Sequence, residues 1–125
     1  MRYTLLLHYP EMTSEDLGAE AMEEGQRAFR AYADALDAAG VLLAAEVLHS
    51  SASTTTVQLV DGSLRVQDGP FADTKEQLGG MFVIDVPDLD AALQWAGKAP
   101  SVGWGPVEVR PGVVYYADGA WRPNA

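Results

Sequence analysis

The chain has 125 residues, 48% of them hydrophobic, which suits one domain with its own core and is too apolar for a disordered segment. A formal charge of −10, from 18 acidic against 8 basic side chains, repels phosphate backbones and anionic lipid heads, so no nucleic-acid partner and no membrane partner is expected. With no cysteine there is no disulfide framework, no Cys-ligated metal and no thiol nucleophile.

The opening "MRYTLLLHYPE" has an apolar run shorter than a signal-peptide core and lacks a small-residue cleavage pattern. No stretch approaches the roughly 18 apolar residues of a membrane span, and the expectation is a soluble, cytoplasmic protein. Residues 2–9 alternate as a strand, with Tyr3, Leu5, Leu7 and Tyr9 on one face and Arg2, Thr4, Leu6 and His8 on the other. Thr13 with Asp16 makes a capping-box pattern, and Met22, Phe29, Tyr32, Ala33 and Leu36 follow at helical spacing up to Gly40. This predicts one amphipathic helix lying on a sheet. Strands follow at 41–48, 54–60 and 63–67, the last two joined by an Asp61-Gly62 hairpin turn. After "DGPFADTKEQLG" comes "GMFVIDV" (80–86), a nearly continuous apolar run and so a central strand. Asp88 caps a short helix ending near Gly97, residues 106–110 form a further strand, and the tail reads as a small hairpin turning at Asp118-Gly119.

Two β–α–β units joined by a hairpin predict an α+β fold: a ferredoxin-like antiparallel sheet with two helices on one face. The other face is left open, and a homodimer is the simplest cover for it.

The run "DGPFADTKEQLGGMFVIDVPDLDAALQWA" (68–96), with "MRYTLLL" before it and "VEVRP" (107–111) after it, resembles the YCII-related family, specifically its DGPF-motif branch. The resemblance covers residues 1–111 as the domain and leaves 112–125 as a C-terminal extension. It implies a ferredoxin-like fold that dimerises into an α+β barrel. On function it implies little: most members have no assigned activity, some lie beside genes for extracytoplasmic-function sigma factors, and one relative in the wider superfamily is a cofactor-free dechlorinating lyase-type enzyme acting on a small lactone. The wider group pairs a histidine of the first helix with an aspartate as a proposed acid–base dyad. The corresponding "RAFRAYADAL" (27–36) contains no histidine.

Asp68 is the first candidate for chemistry. An aspartate in a turn commonly bonds the N–H two residues on, but that residue is Pro70, which has none. The carboxylate must reach Phe71 N–H, be held by something distant, or stay free. His8, at the end of the first strand, is a candidate acid–base group, set against a structural reading as a satisfied strand-end histidine. His49, in the polar "HSSAS" loop, is a weaker one. Glu46 interrupts an apolar strand and is either at a cavity mouth or paired with a cation such as Arg110. If Val107 and Val109 face the helices, Glu108 and Arg110 point to the open face. Lys75 beside Glu76 is either solvated rim or an anion-binding group. The resulting expectation is a cofactor-free dimer with a cleft for a small anionic organic ligand. Asp68, His8 and Lys75 would be catalytic in lyase or isomerase chemistry, with Glu46, Phe71, Glu76 and Arg110 binding the ligand. The alternative is a non-catalytic module that binds a partner, a sigma factor among them. Two separated histidines without cysteines predict no typical zinc site.

Overall fold

The alternation in "YTLLLH" sets the sheet. A computed structural model describes residues 1–125 and buries Tyr3, Leu5 and Leu7 of β1 (Arg2–Pro10), leaving Thr4, Leu6 and His8 half-buried on the opposite face. The chain continues through α1 (Ser14–Leu17), α2 (Ala19–Ala38), β2 (Leu42–Val47), β3 (Thr55–Val60), β4 (Ser63–Asp68), β5 (Glu76–Asp85), α3 (Leu89–Ala96), β6 (Val107–Pro111), β7 (Val114–Ala117) and β8 (Ala120–Pro123). The main sheet has the order β2-β5-β1-β6, with every neighbouring pair antiparallel. In each β–α–β unit the two strands flank a strand of the other unit, which is the ferredoxin-like arrangement expected from the sequence.

The predicted first helix is two helices. The capping box forms as read: Asp16 N–H donates to Thr13 Oγ1 at 3.2 Å and Thr13 N–H to Asp16 Oδ2 at 3.1 Å. It caps only α1, because Gly18 takes φ +84°, outside the helical region, and α2 starts afresh after it. Asp88 caps α3 by accepting Ala91 N–H at 2.9 Å. Both longer helices cover the β1–β5 face, where Tyr32 and Leu36 of α2 and Ala92 and Ala96 of α3 pack with Leu5, Leu7, Phe82 and Ile84. Leu36 is fully buried there, so truncation to alanine costs about 2–5 kcal/mol. Tyr32 adds a 2.7 Å hydrogen bond from its hydroxyl to Trp95 O, tying α2 to α3.

Two ribbons stand apart from this sheet: β3–β4 and β7–β8. Each turns at an Asp-Gly pair with both residues at positive φ (Asp61 +51°, Gly62 +79°; Asp118 +52°, Gly119 +77°), the type I′ geometry that matches strand twist. The C-terminal ribbon is latched to β1 by Asn124. Its Oδ1 accepts Arg2 N–H at 2.7 Å, and its Nδ2 donates to Arg2 O at 2.9 Å and Gly112 O at 2.7 Å. No helix is long and apolar enough to cross a membrane.

Candidate functional site

The open face of the sheet carries a histidine–carboxylate contact. Antiparallel pairing sets Leu6 opposite Glu108 and Leu7 opposite Val107, so Val107 and Val109 pack toward the core while Glu108 and Arg110 share the open face with His8. His8 is held from behind: its N–H donates to Pro106 O at 3.0 Å, and Gly105 lies so close that a Cβ there would overlap the His8 carbonyl oxygen. The imidazole Nε2 lies 2.5 Å from Glu108 Oε1, with the His8 side chain 24% exposed and that of Glu108 55%. Nε2 itself is sealed from solvent, and the carboxylate oxygen lies off the ring N–H direction, so this is a close contact and not an aligned hydrogen bond. Glu108 has the freedom of an exposed side chain to swing into line. A carboxylate beside an imidazole orients the ring and steadies its protonated form during proton transfer.

A groove of about 330 Å³ opens beside this pair. Leu48 to Ser51, Ser53 and Thr54 form one wall, and Pro70, Gln77 and Leu78 form the other. Leu78 links the two features, because a β-bulge at Gly79 makes it the cross-strand partner of His8. The wall is fixed by Glu11, whose two carboxylate oxygens accept Ser51 N–H at 2.9 and 3.0 Å. His49 Nδ1 accepts Ser50 N–H at 3.1 Å and lies 3.0 Å from Ser53 Oγ. Because a backbone N–H only donates, a neutral His49 ring carries its proton on Nε2. Gln77 is pinned by donating to Thr74 O at 2.8 Å. Tyr9, on the helix side, packs over Gly79 and stands edge-on to Trp104 at 6.2 Å. Its phenol pKa is pushed up, first by burial and then by the Glu11 charge, and it stays protonated at neutral pH.

The residues singled out around "DGPF" are dispersed. Asp68 is the last residue of β4, exposed and without a hydrogen bond to protein; of the three alternatives for its carboxylate, it stays free. The turn is held instead by Gly69 N–H on Thr54 O at 2.8 Å and Thr56 Oγ1 on Gly69 O at 2.6 Å. Phe71 and Lys75 are exposed, and Glu76 is half-buried at the start of β5 opposite Pro10. None of these lines the groove, to which the motif contributes only Pro70. Glu46 faces Met81 across β2–β5, and Arg110 faces Thr4 across β1–β6. The two stand on opposite edge strands, three strand spacings or roughly 14 Å apart, so the ion pair considered between them does not form. A bulge at Leu43 also removes Leu42 from the face of Glu46 and Ala44. No three His, Asp or Glu side chains converge as a metal cluster.

A family model for the YCII-related domain matches residues 1–114. The chain belongs to the YCII-related family. It is similar to an uncharacterized protein of Rhizobium meliloti, 34% identical over 119 residues that span 92% of this chain and 94% of that protein. The YCII-related match ends as β7 begins, so β8 and the Asn124 latch lie outside it. The helix histidine implied by the family resemblance has no counterpart in α2, and the imidazole of this YCII-related chain next to a carboxylate is His8, on β1.

Proposed function

We propose that this YCII-related protein binds a small organic anion on the open sheet face and moves a proton on it without a cofactor, in chemistry of the lyase or isomerase type. The observation that carries this reading is the His8–Glu108 contact. A histidine whose Nε2 is shielded from water sits 2.5 Å from a carboxylate, on a face that also carries the apolar Leu6, Met81 and Val83. His8 takes a proton from carbon beside the ligand's carboxylate, Glu108 steadies the imidazolium, and Arg110 on the same face neutralises the anion. Polar groups along the groove, Ser53 and His49 among them, would orient the rest of the ligand. A second copy covering the open face would exclude water from the pair, which is the role of the homodimer in this reading.

The test is a thermal-melt screen of small carboxylates and hydroxy acids against wild type, Arg110→Gln, His8→Gln and Asp68→Asn. The expected hit stabilises wild type and Asp68→Asn, is lost in Arg110→Gln, and exchanges its α-hydrogen with deuterated water only when His8 is present. Silence across the library, or exchange that survives His8→Gln, overturns the reading; silence would favour the partner-binding alternative.

A further inference from the structure

The β3–β4 ribbon is turned the wrong way round for a monomer. Its cross-strand pairs Val57–Val66 and Leu59–Leu64 put four branched aliphatic side chains on one face. Those side chains are 57%, 61%, 72% and 69% exposed for Val57, Val66, Leu59 and Leu64. The opposite face pairs Thr56 with Gln67, Gln58 with Arg65 and Val60 with Ser63, and Thr56, Gln58 and Val60 are the half-buried residues of β3. No helix or strand of the main body packs extensively on the ribbon, whose own base is closed by Gly69 N–H on Thr54 O and Thr56 Oγ1 on Gly69 O. A lone two-stranded ribbon is marginal in water, so an apolar face of this kind calls for a permanent cover.

Two observations choose the occupant. The chain exposes 8464 Å². A folded monomer of this mass exposes roughly 6,500 Å², and the surplus of roughly 2,000 Å² is what one chain gives up in an obligate assembly. The apolar centre of the open sheet face contributes little to that surplus, since Leu6, Met81 and Val83 are already half-buried. Charge points the same way. Residues 55–68 hold Asp61, Arg65 and Asp68, a net −1 against −10 for the chain, and both aspartates sit at the ribbon's ends. Two copies therefore repel each other little here, and a two-fold axis brings the same apolar face to itself.

We infer that the Val57, Leu59, Leu64 and Val66 face is a self-association surface that packs against the same face of a second copy across a two-fold axis. It is separate from the open sheet face and stands whether or not His8 and Glu108 act on a ligand. Light scattering on wild type and on Leu59→Lys/Leu64→Lys tests it, with circular dichroism to show that both are folded. Wild type should be multimeric and the double variant should have half its mass: a dimer becoming monomer, or a tetramer becoming dimer. A monomeric wild type, or a folded double variant of unchanged mass, overturns the inference. Because the chain has no cysteine, a second arm avoids any folding defect: Leu64→Cys should be cross-linked to a covalent dimer by a short bismaleimide while Gln58→Cys, on the other face, is not. Equal yields from the two positions overturn the inference as well.

Discussion

Replacing Asn124 with alanine removes a side chain that acts as a short piece of strand. Arg2 lies one residue beyond the last β1–β6 pair, Tyr3 with Pro111, and its N–H and C=O on that side meet the Asn124 amide. Three hydrogen bonds of 2.7–2.9 Å are lost, from a residue only 6% exposed. At about 1 kcal/mol net for each, with water able to reach part of the vacated site, the expected loss is about 2–3 kcal/mol. For a chain of this size that lowers Tm by about 10 °C. Urea unfolding followed by circular dichroism measures the loss directly, with an unchanged m-value expected if the rest of the fold is intact. Asn124→Asp sharpens the test. Its carboxylate still accepts Arg2 N–H but has no hydrogen to offer Arg2 O or Gly112 O, so at neutral pH it should be at least as unstable as the alanine variant. Part of the deficit should return in acid, where the protonated aspartic acid again donates one bond. An Asn124→Ala loss under about 0.5 kcal/mol would show that the tail is an ornament on β1 and not a latch.

Gly105→Ala should be among the most damaging single-methyl additions, because its Cβ would overlap a backbone atom, the His8 carbonyl oxygen, which cannot rotate away. A loss of about 3 kcal/mol or more in urea is expected. Gly25→Ala, inside α2 with no atom within 4 Å of the new Cβ, should instead gain about 0.5–1 kcal/mol. A loss at Gly25 would mean that this face of α2 is packed against something in solution. Burial pushes the Tyr32 phenol up to about 12. The raised pKa contributes stability that is intact below the unfolded value of about 10 and is lost as pH rises from about 10 to about 12. Urea midpoints measured from pH 9 to 12 should fall along that window, and Tyr32→Phe should flatten the fall; an equal slope in the variant refutes the assignment.

The fold was legible where patterning has one physical meaning. Alternation in β1 and β6 placed each face, and the two Asp-Gly turns placed both ribbons, because type I′ geometry asks for those residues. The helix break at Gly18 was not legible, since a lone glycine in an amphipathic run is usually tolerated. The bulges at Gly79 and Leu43 arise from pairing between distant strands and leave no local signature. That limit also governed the site. Sequence put His8 on the face of Thr4 and Leu6, and Glu108 and Arg110 on the open face if the valines met the helices, yet the closeness of His8 to Glu108 depends on β1–β6 register, which no local pattern encodes. The "DGPF" stretch drew attention through its carboxylate, ring and Lys-Glu pair, of which Asp68, Phe71 and Lys75 are exposed and Glu76 is half-buried. The four residues themselves contribute Pro70 to a groove wall whose polar groups come from His49, read in sequence as a weaker acid–base candidate, and from Ser53 and Gln77, which the sequence did not single out.

The strand order has a consequence for the order of events at the ribosome. Neither β1 nor β2 borders the other; both border β5, and β1 also borders β6. During vectorial synthesis, Leu5 and Leu7 therefore have no strand of the main sheet to pair with until Glu76–Asp85 has been made. The β3–β4 ribbon is different, because its partners are adjacent and its turn closes in microseconds. Until Glu76–Asp85 emerges, that ribbon is the only β-structure the nascent chain can complete, and the whole main sheet waits on the arrival of a single strand.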